Sequence, residues 1–265
     1  MEITYHDGES IALSFDEKLH AYRVDGKPVP SATKVLGVIS KPALIPWSLK
    51  MGSEWLEKHM FYDKELDEDK GVFNYTSRLT LDALIKGIKA AYRPTSGGAL
   101  EIGNNTHKWI EDAVNIFLKD DGKFGDDNLP DRPVDQPEVN NSIDAFLEWV
   151  ADNDVKFYQS EMKLYSRQDH YAGTVDCVAD VNGSRCVVDW KTSKGIYPEY
   201  HLQVAAYAQA VEDVTGEQID QTLVLRLDKS SGRYQCGYQS RREWVDNYET
   251  FLAALKLFNG LKGLK

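Results

Sequence analysis

Cysteine is scarce in this chain of 265 residues: Cys177, Cys186 and Cys236, with no CxxC pair among them. Three cysteines are too few for a disulfide framework, and a reducing, cytoplasmic setting is expected. Positive charge is also short, with 31 Lys and Arg against 42 Asp and Glu and a formal net charge of −11. That balance excludes a protein held on nucleic acid mainly by a broad basic surface, but not an enzyme with a local basic channel and a bound metal. No apolar run reaches the roughly 18 residues of a membrane-spanning helix, so no membrane partner is expected. The opening residues Met1 to Tyr5 carry neither a basic n-region nor an apolar h-region, so no secretory signal is expected. Internal repeats are absent. What is present is 42% hydrophobic residues, enough for a substantial core in one large domain or two small ones.

The stretch from Gly173 to Ala210 organises the rest. Two Val-rich runs flank Asn182-Gly183, a strong hairpin signal, because a type I′ turn needs positive φ at both central residues. A two-residue loop sets the register: Val181 faces Ser184, Val178 faces Val187, Cys177 faces Val188, Cys186 faces Ala179, and Asp176 faces Asp189. Two carboxylates directly opposite each other have Cβ atoms roughly 4.5–5.5 Å apart. At about 5 Å and an effective dielectric near 20 their repulsion is roughly 3 kcal/mol. A divalent cation between them is the simplest offset, and a hard one such as Mg²⁺ prefers oxygen ligands. Alternation puts Lys191 on the face of Asp189. The competing reading is a solvated strand end, with the aspartates apart and Lys191 in a surface ion pair.

Periodicity places the remaining elements. Short strands are expected over Ile11–Phe15, His20–Val24 and Lys27–Val29, then a helix capped by Ser31 or Thr33. Helices are expected from about Pro46 to His59, where Trp47, Met51 and Trp55 read as core packing, and around Leu81–Tyr92. Residues 62–78 read as a loop, and Arg93 to Gly98 as a break before a helix over Gly103–Leu118. His107 borders that helix's apolar face of Ile110, Val114 and Phe117. Lys119 to Glu138, with Pro130, Pro133 and Pro137, reads as a flexible acidic insertion. A helix follows through Ile143–Val150. Val155–Tyr165 alternates as a strand, with Phe157, Gln159, Glu161 and Lys163 on one face. After the hairpin come a helix from about Pro198 to Val214, strands over Thr222–Leu227 and Tyr234–Tyr238, and a C-terminal helix from Glu243. This order predicts an α/β, or α+β-like, fold with a mixed central sheet flanked by helices.

The four ordered features, His107 on a helix, Gly173-Thr174-Val175-Asp176, Asp189-Trp190-Lys191, and Gln203 with Tyr207 four residues on, resemble the PD-(D/E)XK nuclease superfamily and its RecB-like branch. The wording Ala172 to Asp176 and Val188 to Ser193 is similar to mitochondrial genome maintenance exonucleases and phage-encoded relatives. The resemblance covers about residues 100–228. It implies a restriction-endonuclease-like core over 96–265, with 1–95 as an N-terminal hairpin and helical elaboration. It implies Asp176, Asp189, the Trp190 carbonyl and His107 as ligands of Mg²⁺ or Mn²⁺, and Lys191 as the group that orients the attacking water. Gln203 and Tyr207 would position Lys191 or a phosphate, and Glu161 would bind a second metal or activate water. The implied activity is a metal-dependent DNA nuclease, an exonuclease acting in recombination, repair or degradation on single strands or duplex ends, in a bacterial host's cytoplasm if phage-encoded. The cysteine set that some relatives use for an iron–sulfur cluster is missing.

Two readings from other classes stand beside it. One is a catalytically silent nuclease-fold protein that binds nucleic acid or serves as a scaffold; the retained Asp176, Asp189 and Lys191 speak against it. The other is an interaction protein whose acidic surface meets a basic partner. An RNA substrate is also open, and protein partners are not readable from the sequence.

Overall fold

A computed structural model of the chain describes residues 1–17, 19, 21–39, 41, 44–62, 75–119 and 129–263. Its elements begin with β1 (Glu2–Thr4), β2 (Ser10–Asp16), β3 (Ala21–Val24), β4 (Lys27–Val29), α1 (Ala32–Leu36), α2 (Leu44–His59), β5 (Phe61–Tyr62), β6 (Tyr75–Thr76) and α3 (Leu81–Ala90). They continue with α4 (Arg93–Lys119), α5 (Pro137–Asp152), β7 (Val155–Ser166), β8 (Tyr171–Val181), β9 (Ser184–Lys191), α6 (Pro198–Thr215), β10 (Gln221–Leu227), β11 (Tyr234–Ser240) and α7 (Arg241–Gly263). Two compact units emerge, Met1–Ile39 with Ile102–Lys265, and Ser40–Glu101. The first 39 residues therefore group with the later part of the chain, whereas motif position alone had divided it at 95/96.

In the larger unit a five-stranded sheet has the order β11-β10-β9-β8-β7. All its neighbours are antiparallel except β9 and β10, which run parallel. That single parallel pair follows from α6, because parallel neighbours need a crossover and α6 supplies it. The sheet is mixed, as expected. Its two faces carry separate cores. One face packs Val178, Val187 and Val224 with α1, α6, α7 and the antiparallel meander β1-β2-β3-β4. The other packs Cys177, Val188 and Leu223 with α4 and α5. Adjacent residues Val187 and Val188 thus belong to opposite cores, the period-two alternation of a strand buried on both faces.

The turn residues Asn182 (φ 51°) and Gly183 (φ 82°) both take positive φ. The β8–β9 register runs from Val181–Ser184 to Cys177–Val188, as turn arithmetic required. Three expectations need correction. The helix expected to begin at Gly103 begins at Arg93; Pro94 lies in its first turn, where a missing N–H costs nothing. On β7, a bulge between Phe157 and Gln159 breaks the shared face: Phe157 pairs with Ala179 and Gln159 with Val178, so the two point to opposite sides. The described end of the acidic insertion is tied down, with the Pro130 carbonyl accepting from Trp109 Nε1 at 3.1 Å and that of Pro133 from Asn140 Nδ2 at 3.0 Å. Residues 120–128 of that insertion, 63–74 of the expected loop, and His20 lie outside the described residues.

The smaller unit holds α2, α3 and the pair β5–β6. Thr80 caps α3 by accepting the Ala83 N–H at 3.3 Å. Trp55 packs flat on His59 at 3.9 Å, and Trp47 meets Tyr92 edge-on at 6.2 Å. A Cβ on Gly87 would come within 2.1 Å of the Trp55 ring, so these tryptophans are packing residues of this unit.

Candidate active site

Each site residue is placed by a local rule. On α4 the buried residues Thr106, Trp109, Ile110, Ala113, Val114 and Phe117 recur at helical spacing, and His107 stands at the edge of that stripe. On β9 alternation sends the Trp190 ring down against Phe146 and Trp149, with centroids at 5.6 and 5.8 Å. It sends Asp189 and Lys191 to the opposite face, where Lys191 Nζ lies 2.6 Å from Asp189 Oδ2. The β8–β9 ladder ends at Cys177–Val188, one pair short of the aspartates. Beyond it the Trp190 N–H donates to Asp176 Oδ2 at 2.7 Å, so a carboxylate takes the place of a backbone acceptor.

Glu161 reaches the same place from β7. Its neighbours pair Ser160 with Cys177 and Met162 with Val175, which sets Glu161 opposite Asp176. Its φ of 50° is unusual for a non-glycine residue inside a strand, and such backbone strain concentrates at functional sites. Among the described residues, His107, Glu161 and Asp176 can each offer one ligand atom, with all three atoms within 4.8 Å of one another. His107 Nε2 contacts the Trp190 carbonyl at 3.1 Å, and Nδ1 lies 3.7 Å from Asp176 Oδ1. Asp189 stands outside this trio, paired with Lys191.

The electrostatics are those of a dry acidic cluster. Burial pushes Asp176 up to about 6, opposed by Lys191 and the Trp190 N–H. Burial pushes Asp189 up to about 6 as well, with Lys191 opposing and Asp176 adding. Glu161 rises to about 8 through burial first and then the Asp176 charge. Burial and then Lys191 bring His107 down to about 4, although 30% of its side chain reaches solvent. Burial works against the charge on Lys191, but Asp189 and Asp176 outweigh it and raise its pKa. Asp189 Oδ2 is buried, and the Lys191 ammonium at 2.6 Å is its partner.

Gln203 and Tyr207 lie one turn apart on α6. Gln203 Nε2 donates to Tyr207 Oη at 2.9 Å and to Thr33 Oγ1 at 3.3 Å. Tyr207 is buried, and burial first, then the Asp189 charge, raise its pKa. Its ring explains Gly173: a Cβ there would lie 2.4 Å from Tyr207 Cε1. Sequence reasoning missed Thr33 and Tyr200. Tyr200, whose ring centroid is 5.1 Å from Lys191 Nζ, could have been found from its spacing to Gln203 and Tyr207 on one helix face. Thr33 carries no local signal.

No family model matches the chain. Pairwise comparison with known proteins finds two relatives of one kind. Over part of its length the chain is similar to exonucleases. It is 30% identical over 115 residues to mitochondrial genome maintenance exonuclease 1 of Xenopus tropicalis, covering 41% of this chain and 30% of that protein. It is 31% identical over 131 residues to the Homo sapiens protein of the same name, covering 44% and 37%. The chain spans about a third of the length of the curated relatives it matches.

Proposed function

We propose that this chain is a divalent-metal-dependent nuclease that hydrolyses DNA phosphodiester bonds from strand ends, on a restriction-endonuclease-like core of the PD-(D/E)XK type. One observation carries the reading: helix α4 and strands β7 and β8 bring His107, Glu161 and Asp176 within 4.8 Å, beside Asp189 and a charged Lys191. The exonuclease name of the relatives supports the nuclease class, and the preference for ends rests on that name alone.

The residues fit a hard cation. The desolvated carboxylates of Glu161, Asp176 and Asp189 share one largely buried ammonium, Lys191, and further positive charge would offset the cost of the rest. His107, Glu161 and Asp176, with Asp189 and the Trp190 carbonyl adjoining, would hold Mg²⁺ or Mn²⁺; the imidazole favours Mn²⁺. Bound there, the ion would supply Lewis acidity toward the scissile phosphate and a lowered pKa for water. The chain's own groups do the rest. Lys191 keeps its proton because both aspartates face it, so it donates a hydrogen bond to the attacking water or to a phosphate oxygen and offsets developing negative charge. Gln203, held by Thr33, fixes Tyr207. Trp190, locked between Phe146 and Trp149, keeps Asp189 and Lys191 aimed at one face.

End-labelled linear and circular DNA incubated with EDTA, Mg²⁺ or Mn²⁺ tests the reading. Metal-dependent loss of linear DNA with circles spared is expected. Cut circles would make it an endonuclease on the same site, and no cleavage with either metal would overturn the proposal.

A further inference from the structure

Next to the candidate site stands an aromatic pair, Tyr197 and Tyr200, whose outer ring is exposed. Tyr197 is 43% exposed. It occupies the position before α6, where Ser, Thr, Asp or Asn would cap the helix, yet its side chain makes no capping hydrogen bond and Pro198 follows it. Its ring meets Tyr200 edge-on, with centroids 5.4 Å apart at 75°. Tyr200 in turn faces Lys191 Nζ at 5.1 Å and packs against the core below. One ring therefore separates the exposed tyrosine from the lysine of the site.

The segment joining Lys191 to Tyr197 is held in place. Arg226 Nε donates to the Ser193 carbonyl at 2.8 Å, and Ser193 Oγ donates to the Gly195 carbonyl at 2.8 Å. Ile196 packs on bare backbone, since a Cβ on Gly237 would lie 3.1 Å from Ile196 Cδ1. Tyr197 is thus an exposed ring on a fixed mount, one ring away from the Lys191 ammonium. A rigid aromatic face next to a cation suits a nucleobase attached to a phosphate, since stacking accepts any base while the backbone meets the positive charge.

We propose that Tyr197, propped by Tyr200, is a substrate-positioning residue that stacks on the nucleobase flanking the phosphate held at the Lys191 site. This rests on the nuclease reading and assigns that site a base subsite. The test compares wild type, Tyr197→Ala, Tyr197→Phe and Tyr197→Trp on a fluorescent oligonucleotide, with binding measured in EDTA and cleavage with Mn²⁺. A second oligonucleotide carries abasic residues at both ends. Tyr197→Ala should weaken binding and raise KM about tenfold, with kcat little changed. The Phe and Trp variants should restore both values, and the Ala penalty should vanish on the abasic substrate. Wild-type binding matched by all three variants, or an Ala penalty that persists undiminished on the abasic substrate, would overturn the base subsite alone. A wild type that neither binds nor cuts either oligonucleotide would overturn the nuclease reading together with it.

Discussion

The two compact units use apolar residues in opposite ways. In Met1–Ile39 with Ile102–Lys265, bulky side chains such as Trp149, Trp190 and Trp244 are fully buried on the sheet's two faces. In Ser40–Glu101, Leu44, Ile45, Leu49, Leu81 and Leu100 are more than half exposed, and Gly52 is the one buried residue of α2 and α3. The candidate chemistry lies wholly in the first. A catalytic group must be held to a fraction of an ångström, and helices and strands packed into a core offer that better than loops. Trp190 shows the link, because the ring that fills the lower core belongs to the residue between Asp189 and Lys191.

The largest effect should come from Lys191→Ala. Cleavage should fall by about 10³-fold while melting temperature and cation binding stay near wild type. Full activity would remove Lys191 from the chemistry. Next comes the core beneath it. Trp149→Ala, in contact with Trp190, should destabilise the larger unit by about 3–5 kcal/mol, read by denaturant unfolding. A loss under about 1 kcal/mol would mean that the sheet does not depend on that packing.

A smaller effect concerns pH. Glu161 titrates at about 8 in the metal-free fold against an ordinary value of 4.5. The folded state therefore holds a proton that the unfolded state has lost, and stability falls as pH rises through 8. His107, lowered from 6.5 to about 4, acts in the opposite sense below its ordinary value, so the clean window lies above it. Thermal melts in EDTA should drop between about pH 6.5 and 9, and Glu161→Gln should flatten that drop. An unchanged slope in the variant would show Glu161 to be well solvated. The smallest effect is expected in the other unit, where Leu81→Ala should shift stability by no more than about 0.5 kcal/mol. A larger loss would erase the contrast between the units.

Legibility followed the range of the interactions. The β8–β9 register was readable because Asn182-Gly183 is local and side chains alternate strictly. The shared face of Asp189 and Lys191 followed from the same alternation, whereas their largely buried ion pair did not. The bulge at Phe157/Gln159 and the positive φ of Glu161 were not readable, because an extra residue in a strand has no signature beside its ordinary neighbours. Their consequence was the one that mattered: Glu161 joins His107 and Asp176, while Asp189 pairs with Lys191 instead. Thr33 was invisible for another reason, since its contact with Gln203 spans 170 residues and no periodicity reports it. The early start of α4 was obscured by Pro94, which is tolerated in a first turn, and by Gly97 and Gly98, whose low helix propensity the rest of this long helix overrides.

Calorimetric titration of the chelated wild type with Mn²⁺ and Mg²⁺, beside Glu161→Gln and Asp176→Asn, tests the central claim most directly. Saturable binding by the wild type, tighter for Mn²⁺ and lost or weakened at least tenfold in both variants, is the predicted result. Wild-type binding unchanged in both variants, or no binding of either ion, would contradict a metal site built from α4, β7 and β8.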